Sequence, residues 1–214
     1  MNEIIRLAAP EPRTQTASGT VLPNGLPWKL FERWAFALIS LLAVIPCLWQ
    51  PRIHSVDLPS HTYNAWLVSL LEREPVHGLI IDFIWTNVLF DHLLSAVAHI
   101  IGFAAAETIV VAGAVLVFVW GVLSLICRLN GRPAWACTPL VLAVAYGYIF
   151  RFGFLNFYLA TGLSALAVAV WSRQPWRMAL TVAILAIAAV GNPMPPIYVV
   201  LCAAYWRIAT RLPG

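Results

Sequence analysis

The feature that most constrains this chain is a series of apolar runs, each close to the length of a bilayer-crossing helix, separated by short turns that often carry arginine. A crossing helix takes roughly 20 apolar residues, with a range of about 17 to 25. Candidate runs occupy Trp34 to Trp49, Thr108 to Cys127, Ala134 to Phe150, Phe152 to Trp171, Met178 to Pro193 and Pro196 to Ile208. The last two are short, and the "GNPMPP" between them reads as a tight hairpin turn, since proline lacks a donor N–H and clashes with the preceding turn. Composition agrees: 61% of the residues are hydrophobic, against roughly 45–50% in soluble domains. The expected fold class is therefore all-α, a polytopic integral membrane bundle of six spans with juxtamembrane amphipathic helices. Its parts are a polar cytoplasmic tail over 1–33, a transmembrane domain over 34–209 that includes an external loop over 50–106, and a cytoplasmic tail over 210–214. The expected location is the inner (plasma) membrane, crossed several times. The opening residues lack an apolar run, so the first span is expected to act as an uncleaved anchor.

The formal charge of +4 does not point to nucleic acid, because the basic residues are scattered in ones and twos between apolar runs rather than clustered on one face. They read as topology signals. A seventh apolar segment, Thr86 to Ala104, decides the sidedness. If it crossed fully, the Arg128/Arg132 and Arg173/Arg177 turns would both lie outside, against the positive-inside rule. If it lies in the interface or dips in and returns, both pairs fall inside. That arrangement also spares Asp91 the bilayer centre, where a carboxylate costs about 2.5–3.5 kcal/mol. Both termini are then cytoplasmic, and all five histidines lie outside. Cys47, Cys127, Cys137 and Cys202 form no CxxC pair and read as small buried hydrophobes.

The external segment opens with "IHSVDLPSHTYNAW", two histidines and an aspartate within eight residues. Tyr63, Trp66, Leu67, Leu70 and Leu71 follow the spacing of an amphipathic helix, with Pro59 in its first turn and His61, Asn64 and Ser69 among its polar positions. Such a helix is expected to lie flat on the membrane surface. Asp57 has two readings. It is a general base or metal ligand placed just outside the bilayer, or it caps the helix ahead of Pro59. His54, Asp57 and His61 have i, i+3, i+7 spacing, which would serve a divalent metal ion if helical, although Pro59 argues against one helix through all three; the alternative is that they face water. His92, Ser95 and His99 share a face of the Thr86 to Ala104 segment, beside Asp91, and that face points to a polar cavity or to headgroups.

A second informative stretch is "YGYIFRFGFLNFYLATG", Tyr146 to Gly162. Arg151 there either grips a lipid phosphate through paired N–H bonds or snorkels among the aromatic rings around it. Gly153 permits a sharp turn, and Asn156 offers a donor and an acceptor near the membrane boundary. No GxSxG, P-loop, HExxH or GxGxxG occurs.

The order of these features resembles the GT-C class of polytopic membrane glycosyltransferases. The resemblance rests on the first anchor, "VDLPSHTYNAWLVSLL", the Arg-bearing turn "ICRLNGRP" and then "FRFGFLNF", and it covers most of Trp34 to Trp171. It implies that the chain matches the N-terminal part of longer members and that a sugar moves from a polyprenyl-phosphate donor to an extracytoplasmic acceptor. It further implies that Asp57 is the catalytic acid of the loop, with His61, Arg151 and Asn156 around the substrate and Arg151 on the donor phosphate. One departure is that no acid follows Glu107, whereas members often carry a second one beside the first or in a later loop. Two other readings fit the sequence. One is a non-catalytic membrane subunit or truncated remnant whose small-residue spans pack against a membrane protein partner. The other is a transporter built around the proline-broken "GNPMPP".

Overall fold

The computed structural model describes residues 28–49, 52–74, 77–78, 80–82, 84–171 and 177–209. The tail before residue 28, Arg173 and the 210–214 tail lie outside the described residues. Among those described, every regular element is helical and no strand occurs. Helix α1 is Trp28–Leu48, α2 is Leu58–Arg73, α3 is Leu89–Ile101 and α4 is Phe103–Asn130. A short 3-10 turn, Trp135–Cys137, leads into α5, Thr138–Ala145, and α6, Tyr148–Phe152. Then come α7, Leu155–Trp171, α8, Met178–Gly191, and α9, Met194–Ala209.

Among the described residues, two stretches are long and apolar enough to cross a membrane, α4 and the run Trp135–Phe152. The other apolar helices are shorter. With 28 residues, α4 is ~42 Å long. It starts five residues earlier than its apolar run implies, because Glu107 sits in its second turn with Thr62 as a hydrogen-bond partner. The run Trp135–Phe152 bends at Tyr146–Gly147, where α5 gives way to α6. Gly153, with φ +85°, ends α6 in the left-handed region and separates it from α7. The "GNPMPP" turn is a two-residue break between α8 and α9. Asn192 Oδ1 accepts from Met194 N at 3.0 Å there, and Pro195 and Pro196 fall in the first turn of α9, where their missing donors cost nothing.

Helix α7 is the central element and packs against α4, α8, α9, α3 and α6. Its sequence explains this: Ala160, Gly162, Ser164, Ala165, Ala167 and Ala169 are all buried, and small side chains let neighbouring backbones come close. The closest approach is to α4. A Cβ on Gly162 would lie 2.7 Å from Phe118 Cα, and one on Gly121 would run into the Gly162 carbonyl. One turn away, Phe118 and Tyr158 stack with centroids 4.4 Å apart. Helix α1 is fastened to α4 by Trp120, which stacks on Phe36 at 4.2 Å and donates to Ser40 Oγ at 3.0 Å. Of the four cysteines, all free, only Cys47 is buried; Cys202 is exposed, against the expectation that all four are.

Helix α2 forms where the apolar spacing placed it, and two of its polar positions, His61 and Ser69, are buried. Leu58, His61, Ala65 and Ser69 point inward, while Tyr63 and Trp66 face outward. His61 is turned in where α3 supplies a carboxylate for it to meet, as described below, while the Ser69 hydroxyl donates to Trp66 O. The large side chains of α1, α8 and α9 also remain outside, among them Phe36, Leu41, Val182, Ile187, Ile197 and Leu201.

The helix crossing yields a stability prediction. Gly162→Val forces α4 and α7 apart and is expected to destabilise the fold by about 1–3 kcal/mol. Gly113→Ala, on the same α4 but with open space around the added carbon, is expected to leave the thermal midpoint in mild detergent unchanged or slightly raised. Equal midpoints for Gly162→Val and the unaltered chain would contradict the packing described.

Candidate functional site

The two stretches singled out in the sequence meet in space. Three hydrogen bonds lay the segment before α2 along the end of α6: Ser55 Oγ to Phe150 O at 2.8 Å, Val56 N to Arg151 O at 2.8 Å and Asp57 N to Phe152 O at 3.2 Å. Gly153 makes this approach possible. A Cβ there would sit 2.7 Å from the Asp57 Cβ, so both its positive φ and the available space require glycine.

Asp57 occupies the N-cap position of α2, with Pro59 in the first turn, yet its side chain makes no capping hydrogen bond. The carboxylate is 48% exposed and its Oδ2 lies 3.7 Å from His61 Nε2. Capping is therefore not what this carboxylate does. His61, one turn on, is largely buried between the two acids. Its Nδ1 lies 2.8 Å from Asp91 Oδ1, its Nε2 lies 3.3 Å from Gly153 O, and the Phe90 ring meets it edge-on at 5.3 Å. Both ring nitrogens thus face oxygen acceptors, an arrangement that suits the doubly protonated imidazolium, in which both donate. Burial is the largest influence on its pKa and pushes it down. The Asp91 hydrogen bond, the charges of Asp91 and Asp57, and the Gly153 carbonyl together outweigh burial and hold His61 above its ordinary value.

Asp91 is anchored in turn by Asn156, which is 1% exposed in the first turn of α7. Asn156 Nδ2 donates to Asp91 Oδ2 at 3.0 Å and to Asn87 O at 2.9 Å, and its Oδ1 accepts from Phe90 N at 2.8 Å. Only one amide orientation satisfies all three partners. Asn87 holds its carbonyl in place with φ +63°, a left-handed conformation that asparagine tolerates better than most residues. The result is a continuous path, Asn156 to Asp91 to His61 to Asp57, joining α7, α3 and α2. It borders a cleft of about 430 Å³ whose polar lining includes Asp57, His61, Asn87 and Asn192, with Tyr148 and Phe154 as apolar wall.

Asp57, His61 and Asn156 are thus brought together as the sequence reading has them, and Asp91 joins them. Arg151 and His54 stand apart. Arg151 is exposed at the end of α6 and contributes its backbone carbonyl rather than its guanidinium to the contacts with α2. His54 lies exposed in the extended approach to α2. The trio His54, Asp57 and His61 does not form a metal site, and among the described residues no group of three His, Cys, Asp or Glu does. The physical reason is that α2 begins only at Leu58, so the helical spacing that would align His54 with the others does not exist. His92 is exposed, and His99 Nε2 pairs with Glu72 Oε2 at 3.3 Å, joining the far ends of α3 and α2. Comparison of the chain with family models, curated proteins and solved structures returns no match.

The His61 environment makes stability depend on pH. The folded protein holds the His61 proton more tightly than the unfolded chain does. Its contribution is therefore fully present below the ordinary imidazole value of 6.5 and is lost as pH rises through the higher value of the folded state. The thermal midpoint of the unaltered chain minus that of His61→Gln, measured from pH 5.5 to pH 9, is expected to shrink toward alkaline pH. A difference that stays constant or grows would show that His61 is held neutral.

Proposed function

We propose that the cleft is the acceptor side of a membrane-embedded transferase that moves a sugar from a polyprenyl-phosphate donor to a hydroxyl on the outer face of a bilayer. The observation that carries this reading is the Asp57 carboxylate, which neither caps its helix nor pairs tightly, opens into the cleft and is backed by His61. An acceptor hydroxyl placed against Asp57 Oδ gives up its proton to the carboxylate as its oxygen bonds to the anomeric carbon. The bond from that carbon to the donor phosphate breaks, and the phosphate leaves with the electron pair. His61 is a positioning residue. Its bonds to Asp91 and Gly153 fix its ring 3.7 Å from the Asp57 carboxylate. Arg151, which does not line the cleft, is assigned no part in this step.

Membrane embedding is the frame for this chemistry. Six crossings with both termini inside and the Asp57 cleft outside, in the inner membrane, agree with the two stretches of spanning length, with the arginine-bearing turns and with the exposed apolar side chains of α1, α8 and α9. Helix α3, with 13 residues, is ~20 Å long, short of the roughly 30 Å hydrocarbon layer, which supports a segment that lies in the interface rather than crossing.

The test is transfer in reconstituted vesicles supplied with a panel of polyprenyl-phosphate hexoses and pentoses. Asp57→Asn is expected to lower the transfer rate by about 10²- to 10⁴-fold, the range for loss of a general base, with the same yield in the membrane fraction. Transfer by Asp57→Asn at the unaltered rate would remove the basis for the assignment.

A further inference from the structure

A second cavity, of about 540 Å³, lies on the opposite side of the first turns of α2, where Arg52, Leu58, Tyr63, Trp66, Phe103 and Glu107 line it. The cleft chemistry above does not use it. Its charges are of opposite sign and do not pair with each other. The Thr62 hydroxyl, which shares its one proton between Leu58 O at 3.1 Å and Glu107 Oε2 at 2.9 Å, meets one carboxylate oxygen of Glu107 and leaves the other available. Tyr63 and Trp66 stack on one another, centroids 5.8 Å apart, and present an aromatic face that is more than 40% exposed at both residues. A fixed carboxylate beside aromatic rings is a site for an ammonium group. A guanidinium that pairs with no carboxylate among the described residues is a site for a phosphate. Leu58 and Phe103 between them offer only apolar surface.

The height of the groove narrows the choice. Phe103 and Glu107 are in the first two turns of α4, which at ~42 Å spans about the thickness of a bilayer including its headgroup layers. If α4 crosses, its first turns stand at headgroup level. We infer that this groove binds the headgroup of a zwitterionic phospholipid of the ethanolamine type. The phosphate lies on Arg52, the ammonium between Glu107 and the Tyr63–Trp66 pair, and the glycerol end on Leu58 and Phe103. The inference rests on the membrane reading proposed above and is independent of the transfer chemistry.

Native mass spectrometry of the full chain released from detergent micelles tests it, with phosphatidylethanolamine and phosphatidylglycerol of identical acyl chains added in turn. Phosphatidylethanolamine is expected to be retained about five-fold better, the ratio that a partly exposed ion pair supports. Glu107→Gln, which keeps a partner for Thr62, is expected to erase the preference while phosphatidylglycerol retention stays unchanged. Arg52→Ala, at an exposed position, is expected to weaken retention of both lipids. Equal retention of the two lipids by the unaltered chain, or a preference that survives Glu107→Gln, would overturn the headgroup site alone. Failure of the chain to remain in the membrane fraction after carbonate extraction would overturn this site and the membrane reading together, whatever the transfer assay shows.

Discussion

The contact between His61 and Asp91 is the interaction on which the rest of the site depends. It is long-range in sequence and partly buried, and with the more exposed His99–Glu72 pair it attaches α2 to α3. Groups this poorly hydrated are costly unless every polar atom finds a partner, and here each does. Asp91 divides its two oxygens between His61 and Asn156, and His61 divides its two nitrogens between Asp91 and the Gly153 carbonyl with Asp57 close by. Removing one member would leave the others buried without compensation, so the network acts as a unit. Asp57 is its one outward-facing end.

The apolar architecture determines where that network can stand. Asn156 lies in the first turn of α7, and α7 is held against α4 by the glycine contact at Gly121 and Gly162. The register of α7 against α4 therefore sets the height of Asn156, and through it the height of Asp91 and His61. The loop carrying Asp57 is fixed separately, by three hydrogen bonds to the end of α6 and by the absence of a side chain at Gly153. Cleft and scaffold meet at Gly153, whose amide follows α6 and whose carbonyl accepts from the imidazole.

Much of this was legible in the sequence and part of it was not. The all-helical class follows from the apolar runs, and the start of α2 follows from Pro59. Asp57, His61 and Asn156 drew attention as polar residues in a greasy chain, and they do converge. The partner of His61 was not legible. Asp91 stood out only as a carboxylate within an apolar segment, and nothing in local spacing says that this segment packs on α2 thirty positions earlier. The same gap explains why His61, a polar position of α2, is buried: the partly buried Asp91 carboxylate meets it there. The metal trio failed for a local reason, since spacing across a helix start does not keep helical geometry. The break at Tyr146–Gly147 divides what reads as one uninterrupted span, Ala134 to Phe150, whereas the turn at Gly153 falls where the sequence permits one.

A double-mutant cycle on His61 and Asp91 tests the central claim most directly. Unfolding free energies of the unaltered chain, His61→Ala, Asp91→Ala and the double variant are compared at pH 6 in one mild detergent. If the pair holds α2 to α3, the two losses should be non-additive, with a coupling of at least about 1 kcal/mol. Losses that add to within about 0.5 kcal/mol would mean that the two side chains do not act together, and the site built on them would have to be abandoned.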